Sequence, residues 1–551
     1  MLPFGRSYEE ITAAFRWQVP PAYNMAVDAC DKWAAIEPDR LALIHVRGDG
    51  TIDRWSYGRL SATAHRLSNL LVGRGVKRGD RVAILLPQSP ETAITHIAVY
   101  AMAAVALPLA DLFGVEALSF RLADAGAKVV VTNRVGAAKI AEIRALLPDL
   151  ELVLTIDGVW DGTEDLHRLL AAASDRFEPV ATRADDPALM IYTSGTTGQP
   201  KGALHAHRVL LGHLPGVQFA HEFTPRPGDL FWTPADWAWA GGLLNVLLPA
   251  LSLGVPVVAA RFERFDPDAV WHLLAGQGIR NAFIPPTALK LLRGAGSIEG
   301  RYDLALRTIG SGGEALGRDT YDWARAELGL TINEFYGQTE CNLVLGACAA
   351  AGVTRGGAIG KPTPGHSVAV IDGAGNPMPP GETGQIAVRR PDPVMFLGYW
   401  NNPEATAAKF IGDWMTTGDQ GMTDEDGYVF FVGRDDDLIT SAGYRIGPSE
   451  IEDCLAGHPA VALAAVVGKP DPIRTEIVKA FVKLEAGVVP SPELAASIRD
   501  HVRTRLSAHE YPREIDFVAE IPLTTTGKVI RRFFREQARD EAAAERRGER
   551  G

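Results

Sequence analysis

Short apolar runs alternate with longer segments of helical pattern along the chain up to about Gly433. The runs typical of buried strands are RVAILLP, AKVVVTN and ELVLTID, and the pattern returns with ALMIY, VPVVAA, NAFIPP and LRTIGSGG. Strands that alternate with helices in this way are typical of mostly parallel sheets covered by helices. The sequence therefore predicts an α/β fold for this part of the chain.

The pattern changes near Gly433, where short strands and a few helices replace the regular alternation. The stretch GRDDDLITSAGYRIG lies at the change, and the charged run EAAAERRGERG comes last. A polar, glycine-containing stretch between two cores is where a hinge is expected. The sequence therefore predicts two domains, residues 1–434 and residues 435–551.

Composition and charge exclude several classes of protein. Apolar residues make up 46% of the chain and the formal net charge is -12, which predicts a globular protein with no nucleic-acid partner. The four cysteines form no CxxC pair, so we expect neither disulfides nor a zinc site, and a reducing cytoplasm fits best. The apolar window HIAVYAMAAVALPLADLF contains Pro108 and Asp111, which predicts a buried helix followed by a strand rather than a membrane span.

The strongest local signal of chemistry is the segment YTSGTTGQPKG, from Tyr192 to Gly202. Its glycines and hydroxyl residues follow an apolar run directly, so its backbone N–H groups can surround phosphate oxygens while Lys201 adds positive charge. It is not a Walker A sequence, because Pro200 precedes Lys201 and the Gly-Lys-Ser/Thr ending is missing. Taken alone, the segment is equally compatible with a surface turn.

Five more segments follow in order, and together the six resemble the signatures of the adenylate-forming (AMP-binding) superfamily. They are GSGGEAL, NEFYGQTE, TTGDQG, GRDDDLITSAGYRIGPSEIE and PLTTTGK. Within the superfamily, YGQTE is similar to the medium-chain acyl-CoA synthetases. The resemblance implies a large N-terminal domain of helix-covered sheets with a small barrel-like subdomain, and a small mobile α+β C-terminal domain. It also implies an acyl-CoA synthetase that uses ATP, Mg²⁺, coenzyme A and a small-molecule carboxylic acid.

The first reaction implied by the resemblance is attack of a carboxylate on the α-phosphorus of ATP. Because this brings two anions together, positive charge and oriented donors are the main catalytic requirement. The resemblance makes Lys528 the bridge between the carboxylate and the α-phosphate, Thr339 an α-phosphate contact and Glu340 the residue on Mg²⁺. One carboxylate suffices, since Mg²⁺ on phosphates usually keeps several waters.

The resemblance also implies the remaining nucleotide contacts. Tyr336 is expected to stack on adenine, and Asp419 to accept hydrogen bonds from both ribose hydroxyls. Arg434 adds a ribose contact and Arg445 a phosphate contact. The other residues expected to bind ATP are Thr193, Ser194, Gly195, Thr196, Thr197, Gly198, Lys201, Gly313, Glu314, Ala315 and Glu334.

A second reaction transfers the acyl group to the thiol of CoA. The resemblance implies that the C-terminal domain rotates after adenylation, which withdraws Lys528 and brings the loop before Arg445 to the site. Asp436 matches the hinge position. Gly443 is expected to line the pantetheine tunnel, where the missing side chain lets the backbone pass closely.

The identity of the acid is less well defined by the sequence. Gly337 stands where acetate-specific relatives have a tryptophan that closes the acyl pocket, which predicts an acid larger than acetate. Trp237 and Trp239 are candidate walls of that pocket, and flat aromatic walls suit a branched or cyclic acid. Core packing explains either tryptophan equally well. We expect a medium-chain, branched or cyclic acid.

Alternative functions share these signals. They are a stand-alone amino-acid or aryl-acid adenylating enzyme, a luciferase-type oxygenase and a nucleotide-binding protein without turnover. The last is disfavoured because Lys528 and Glu340 are both present. PLTTTGK also resembles the recognition pattern for reversible acylation, so a protein lysine acetyltransferase and deacetylase acting on Lys528 are possible partners, as is a second copy of the chain in a homodimer.

Overall fold

The computed structural model describes residues 1–193, 199–262, 264–434, 437–441, 444–472, 474–506, 511–524 and 528–548. Within these ranges, no helix combines the length and the apolar character needed to cross a membrane.

Two large sheets form the N-terminal part. The eight-stranded sheet is parallel through its centre and ends in antiparallel strands on one side. In spatial order its strands are Gly398–Tyr399, Lys201–Ala206, Pro187–Thr193, Val105–Pro108, Arg81–Leu85, Ala127–Thr132, Leu152–Thr155 and Glu164–Asp165.

The nine-stranded sheet has the same plan, with a parallel centre and antiparallel strands at both edges. In spatial order its strands are Lys361–Pro362, Cys341–Gly346, Ile332–Gln338, Thr308–Gly312, Asn281–Phe283, Phe231–Trp232, Val257–Ala260, Leu41–Val46 and Ile52–Ser56. The prediction of mostly parallel, helix-covered sheets is therefore confirmed.

Two smaller sheets follow along the chain. An antiparallel sheet lies where the barrel-like subdomain is expected, with the strands Val368–Ile371, Thr383–Arg389, Trp414–Thr423 and Phe410–Ile411, and Val429–Arg434 beside Trp414–Thr423. The last sheet has the strands Tyr444–Ile446, Ile439–Ser441, Thr475–Leu484 and Val461–Asp471, with Glu514–Phe517 parallel to Thr475–Leu484. Strands on either side of the expected boundary at residue 434 thus belong to different sheets.

Helices cover the sheets. The α-helices are Tyr8–Ala14, Lys32–Ile36, Tyr57–Gly73, Pro90–Ala101, Val115–Ala125, Arg134–Ile143, Leu166–Ala172, Val209–Ala220, Ala240–Gly242, Leu248–Ser252, Pro267–Gln277, Pro286–Gly294, Arg318–Trp323, Pro403–Ala407, Pro448–Ala456, Pro492–Arg505 and Arg531–Gly548. Short π-helical turns lie at Val27–Asp31, Leu243–Leu247 and Ala324–Leu328, and 3₁₀ turns at Arg144–Leu146 and Ala349–Ala351.

The helix Pro90–Ala101 explains the most apolar window of the sequence. The Ser89 side chain accepts a hydrogen bond from the backbone N–H of Thr92, which caps the helix start. Every residue of the helix except Glu91 is buried, and it lies in a core shared by both large sheets. The strand Val105–Pro108 follows it. The window is therefore a buried helix followed by a strand, as the sequence predicted.

Candidate active site

Two neighbouring parallel strands carry predicted site residues to the same edge of the nine-stranded sheet. Thr308–Gly312 is followed by Gly313, Glu314 and Ala315, and Ile332–Gln338 is followed by the turn Thr339–Glu340. Ligands of open α/β sheets bind beyond the carboxyl ends of parallel strands. The sequence motifs GSGGEAL and NEFYGQTE thus converge on one cleft.

A hairpin of the eight-stranded sheet brings the phosphate-loop segment to this cleft. Thr193 ends one strand and Lys201 begins the next, and the two residues are register partners. The Lys201 ammonium lies 5.0 Å from the ring centroid of Tyr399. Five of the predicted loop residues lie outside the described ranges, namely Ser194, Gly195, Thr196, Thr197 and Gly198.

Glu340 is buried and contacts the same tyrosine as Lys201. The hydroxyl of Tyr399 donates a hydrogen bond to Glu340 Oε1. Burial first, and then the nearby Glu340 charge, raise the pKa of the Tyr399 hydroxyl. Tyr399 therefore stays a neutral donor that orients the Glu340 carboxylate, and its ring faces the Lys201 ammonium.

Asp419 receives two hydrogen bonds on one carboxylate oxygen. Tyr336 Oη donates to Asp419 Oδ2 at 2.5 Å, and Gln338 Nε2 donates to the same oxygen at 2.9 Å. Arg434, the register partner of Asp419 on the adjacent strand, places its Nε 3.9 Å from Oδ1. Burial raises the pKa of Asp419, while the Tyr336 hydrogen bond and the Arg434 charge oppose that rise. The result is an oriented carboxylate at the cleft.

Glu314 and Glu334 lie on the wall formed by the GSGGEAL segment. Glu314 Oε2 accepts a hydrogen bond from Thr287 Oγ1 at 2.7 Å, and burial raises the pKa of Glu314. Glu334 Oε1 accepts from the backbone N–H of Leu316 at 3.2 Å. Burial raises the pKa of Glu334 to about 8. The hydrogen bond of Glu334 is thus with the GSGGEAL wall, and it helps to hold the segment that contains Gly313–Ala315 in place.

Lys528 comes to the cleft from the C-terminal part of the chain. Lys528 is exposed as a whole residue, and the pKa of its ammonium is lowered, with burial as the largest cause. The charges of Glu314 and Asp419 oppose this lowering. Its backbone N–H donates to Thr524 Oγ1 at 3.0 Å. The residue expected to catalyse adenylation therefore shares one electrostatic site with the residues expected to bind the nucleotide.

One ion pair joins the C-terminal part to the N-terminal wall. Lys290 Nζ, on the helix Pro286–Gly294, lies 2.9 Å from Asp453 Oδ1, on the helix Pro448–Ala456. The C-terminal part, which carries Lys528, is thus in contact with the N-terminal wall.

Comparison with known proteins places this site in a family. Residues 30–400 match the model of the AMP-binding enzyme family, and residues 450–528 match that of the AMP-binding enzyme C-terminal domain. The chain belongs to the AMP-binding enzyme family. Two relatives show how far the similarity extends. The chain is 35% identical to the mitochondrial acyl-coenzyme A synthetase ACSM5 of Mus musculus, over 95% of this chain and 92% of that protein. It is 36% identical in sequence to Brucella canis acyl-CoA synthetase. The crystal structure of that protein matches with a TM-score of 0.74, covering 97% of this chain and 99% of the other.

A third comparison concerns the fold. The anthranilate CoA ligase AuaEII in complex with anthranoyl-AMP superimposes with a TM-score of 0.87 at 28% identity, covering 95% of this chain and 99% of the other. As a member of the AMP-binding enzyme family with these relatives, the protein is an AMP-forming acid–thiol ligase that uses ATP, Mg²⁺ and CoA.

The residues of this AMP-binding enzyme fit a magnesium ion held mainly by phosphates. Among the residues that the structure describes, no group of three or more His, Cys, Asp or Glu could hold a metal by itself. Glu340 offers one carboxylate, with one oxygen oriented by Tyr399. Mg²⁺ in nucleotide sites is commonly held by one or two carboxylates together with phosphates and water. Glu340 thus fits the predicted role.

The candidate acyl-pocket residues have different surroundings. Trp237 is fully buried in the core shared by the two large sheets. Trp239 is half-buried and packs edge-on against Phe113, with ring centroids 5.6 Å apart. A Cβ built on Gly337 would lie 2.5 Å from Asn342 Cα, so main chain fills the space in front of this glycine. Glycine is required there by the close approach of two strands, and the predicted role of Gly337 in the acyl pocket stays a prediction.

Three predicted residues lie outside what the structure describes. Asp436 and Gly443 are outside the described ranges, and the side chain of Arg445, on the strand Tyr444–Ile446, is outside them as well. Their roles stay predictions.

Sequence reasoning missed Gln338, Tyr399 and Lys409. Gln338 stands within the motif NEFYGQTE, beside two residues that were singled out, and a polar side chain at the end of that strand was a usable signal. Tyr399 and Lys409 belong to none of the motifs, and only the fold brings them to Glu340 and Gln338.

Proposed function

We propose that the protein activates a medium-chain, branched or cyclic carboxylic acid as acyl-AMP with release of pyrophosphate, and then transfers the acyl group to CoA with release of AMP. The observation that carries this proposal is that two parallel strands bring the motif residues to one edge of the sheet, where the charges of Glu314 and Asp419 also act on the Lys528 ammonium. Adenylation requires a catalytic ammonium and a carboxylate that binds the ribose at the same site. In this proposal the C-terminal part supplies the ammonium and the N-terminal part supplies the carboxylate.

In the adenylation step, an oxygen of the acid attacks the α-phosphorus, and the bond from this phosphorus to the oxygen bridging to the β-phosphorus breaks. The electron pair leaves with pyrophosphate. Lys528 offsets the repulsion between the two anions, and the Thr339 hydroxyl donates a hydrogen bond to the α-phosphate. A well-placed donor or charge of this kind contributes about 3 kcal/mol to transition-state stabilisation.

Glu340 holds the magnesium ion, which when bound neutralises charge on the phosphates. The hydrogen bond from Tyr399 orients the Glu340 carboxylate. Lys201 adds positive charge on the same side, while Tyr336, Asp419 and Arg434 hold the nucleoside. The predicted loop residues before Lys201 complete the phosphate site in this proposal.

In the thioester step, the CoA thiolate attacks the acyl carbonyl carbon and AMP leaves as the acyl–phosphate bond breaks. We propose that the domains 1–434 and 435–551 turn about Asp436 between the two steps, with Gly443 lining the CoA tunnel and Arg445 near the phosphate. Support comes from the change of sheet between Arg434 and Ile439, since a short segment between two independent sheets is suited to absorb a rotation.

The acid class is inferred from an aromatic pair and from two similar proteins. Trp239 and Phe113 form an edge-on aromatic pair that is only half-buried on the Trp239 side, and such a surface suits cyclic or branched carbon skeletons. One relative is an acyl-CoA synthetase of the ACSM group, and one structural neighbour is an anthranilate ligase. A stand-alone amino-acid or aryl-acid adenylating enzyme is the second candidate, favoured by the same aromatic pair.

A pyrophosphate-release assay tests the proposal. The acids are acetate, butyrate, octanoate, isobutyrate, benzoate, cyclohexanecarboxylate and several amino acids, each with and without CoA. We expect CoA-stimulated turnover on the medium-chain, branched or cyclic members. Turnover on amino or aryl acids that CoA does not stimulate would favour the second candidate, and pyrophosphate release from none of them would contradict the proposal.

Three further points belong to this proposal. Acylation of Lys528 by a protein lysine acetyltransferase, reversed by a deacetylase, would remove the ammonium charge and block adenylation.

A cytoplasmic location is supported by the four free cysteines. A homodimer is the proposed assembly, and size-exclusion chromatography with light scattering tests it.

A further inference from the structure

Lys409 is a half-buried lysine that connects two strands near the residues proposed to bind the nucleotide. Its ammonium donates to the carbonyl oxygens of Thr416 at 3.0 Å and Thr417 at 3.5 Å, and to Gln338 Oε1 at 3.3 Å. An ammonium has three protons, and here three acceptors surround it. Lys409 therefore joins the end of the strand Ile332–Gln338 to the strand Trp414–Thr423.

The contact between Lys409 and Gln338 fixes which way the Gln338 amide faces. Lysine can only donate, so the amide must present its oxygen to Lys409. The amide nitrogen then donates to the carbonyl oxygen of Thr417 at 2.6 Å and to Asp419 Oδ2 at 2.9 Å. Without the ammonium, the amide oxygen loses its donor, and the Gln338 side chain is held only through its nitrogen.

The charges around Lys409 point to the same centre. The negative charges of Glu340 and Asp419 act on its ammonium, as do the positive charges of Lys201 and Arg434. Burial is the largest cause of a lowered pKa of Lys409, and the two carboxylates oppose it. Lys409 thus lies among the residues proposed to hold the magnesium ion and the ribose.

We propose that Lys409 is a positioning residue for ATP, which acts through Gln338 to hold Asp419 in the orientation that receives the ribose hydroxyls. The inference rests on the proposed role of Asp419 in nucleotide binding. Because Lys409 touches neither the acid nor the CoA tunnel in this account, its effect is confined to the nucleotide.

The test compares Lys409→Met with unmodified protein in two measurements, which are ATP binding by titration calorimetry and steady-state kinetics for each substrate. We expect the Kd and KM for ATP to rise roughly tenfold or more, the size expected for loss of a hydrogen bond to a charged group. The KM values for the acid and for CoA should stay within about twofold of those of unmodified protein. Lys409→Arg, which keeps the charge and donors, should recover part of the ATP affinity.

Lys128→Met is the matched control. Lys128 Nζ lies 3.1 Å from Asp80 Oδ2 near the starts of the strands Arg81–Leu85 and Ala127–Thr132, at the opposite edge of the sheet from the cleft. We expect its ATP affinity to equal that of unmodified protein. An ATP Kd of Lys409→Met within about twofold of this control would overturn the inference, and so would a parallel loss of affinity for all three substrates, which marks a purely structural role.

A second variant covers the case in which Lys409→Met does not fold. Gln338→Met removes the amide and leaves the ammonium in place, so it should weaken ATP binding by a similar factor. Where both variants fold, the double variant should be no weaker than the worse single variant, since both break one chain of contacts. Additive losses would contradict the relay. Failure of unmodified protein to bind ATP would instead contradict the proposed function itself.

Discussion

At the scale of single residues, the sequence predicted the carboxylates of the site but not the hydroxyl groups that donate hydrogen bonds to them. Asp419, Glu340 and Glu314 each accept a hydrogen bond from a tyrosine or threonine hydroxyl. The sequence motifs predicted the carboxylates, because each motif is local. The partner of Glu340, Tyr399, is 59 positions away, and no local pattern marks it.

Glu334 gives a prediction on pH and stability. Its pKa rises from an ordinary value of 4.5 to about 8 in the folded protein, with burial as the main cause. The folded state therefore binds this proton more tightly than the unfolded state. The stability that this provides is present below about pH 4.5 and is lost as pH rises toward 8, by up to about 1.4 kcal/mol per pH unit.

Glu334→Gln keeps an oxygen acceptor for Leu316 and removes the titration. We expect its melting temperature to exceed that of unmodified protein by an amount that grows from pH 5 to pH 8, measured by thermal denaturation of both proteins in matched buffers. A difference that is constant over this range would show that Glu334 does not titrate there.

Lys528→Met separates the two reactions. Loss of the ammonium should slow acyl-AMP formation about a hundredfold, equivalent to roughly 3 kcal/mol. Conversion of synthetic acyl-AMP to acyl-CoA should stay within about threefold, because we propose that Lys528 is withdrawn in that step. Rapid-quench assays of each half-reaction measure both rates. Lys483→Met, at an exposed position of the same C-terminal part, is the control, and equal losses in both half-reactions would argue against a role confined to adenylation.

At the scale of elements, the hairpin of Ile332–Gln338 and Cys341–Gly346 connects sequence motif and geometry. It places Thr339 and Glu340 in its turn, and it has an irregular register between Tyr336 and Gln338. The motif NEFYGQTE was visible in the sequence, but these two strands were not predicted. The close approach of Asn342 to Gly337 was not predicted either, because it depends on the register and on how the turn is made.

Gly337→Ala tests this close approach. The added Cβ would lie 2.5 Å from Asn342 Cα, so main chain must move. We expect a loss of about 2 kcal/mol in the free energy of unfolding, typical of overpacking, together with reduced turnover on every acid. Gly346→Ala is the matched control in the same hairpin, where the nearest atom is the Thr363 methyl at 3.3 Å. A stable Gly337→Ala protein whose acid range merely shifts toward acetate would favour an open pocket at this position.

At the scale of the whole molecule, the sheet alternation and the order of motifs predicted the fold class and the convergence of the site. The sequence did not predict that the central strands divide into two sheets, since strand order is set by long-range pairing. Nor did it predict that the C-terminal part lies against the wall at Lys290. We propose that this placement is the arrangement that serves adenylation.

Lys290→Met should shift the balance between domain arrangements. The Lys290–Asp453 pair is partly exposed, so its loss should cost at most about 1 kcal/mol, or roughly fivefold in the adenylation rate. We expect thioester formation from acyl-AMP to be unchanged. A double-mutant cycle with Asp453→Asn, measured by pyrophosphate release, should give a coupling energy of the same size. A coupling energy of zero would show that the pair does not stabilise the arrangement for adenylation.

The central claim is the sequence of acyl-AMP formation and acyl transfer to CoA at one site. The most direct measurement is mass spectrometry of the products formed from ATP, Mg²⁺ and the best acid of the panel, with CoA withheld and then added. The account predicts enzyme-bound acyl-AMP with one pyrophosphate per site before CoA is added, and AMP with acyl-CoA in equal amounts afterwards. Acyl-AMP that persists after CoA is added, or thioester formed without AMP, would contradict it.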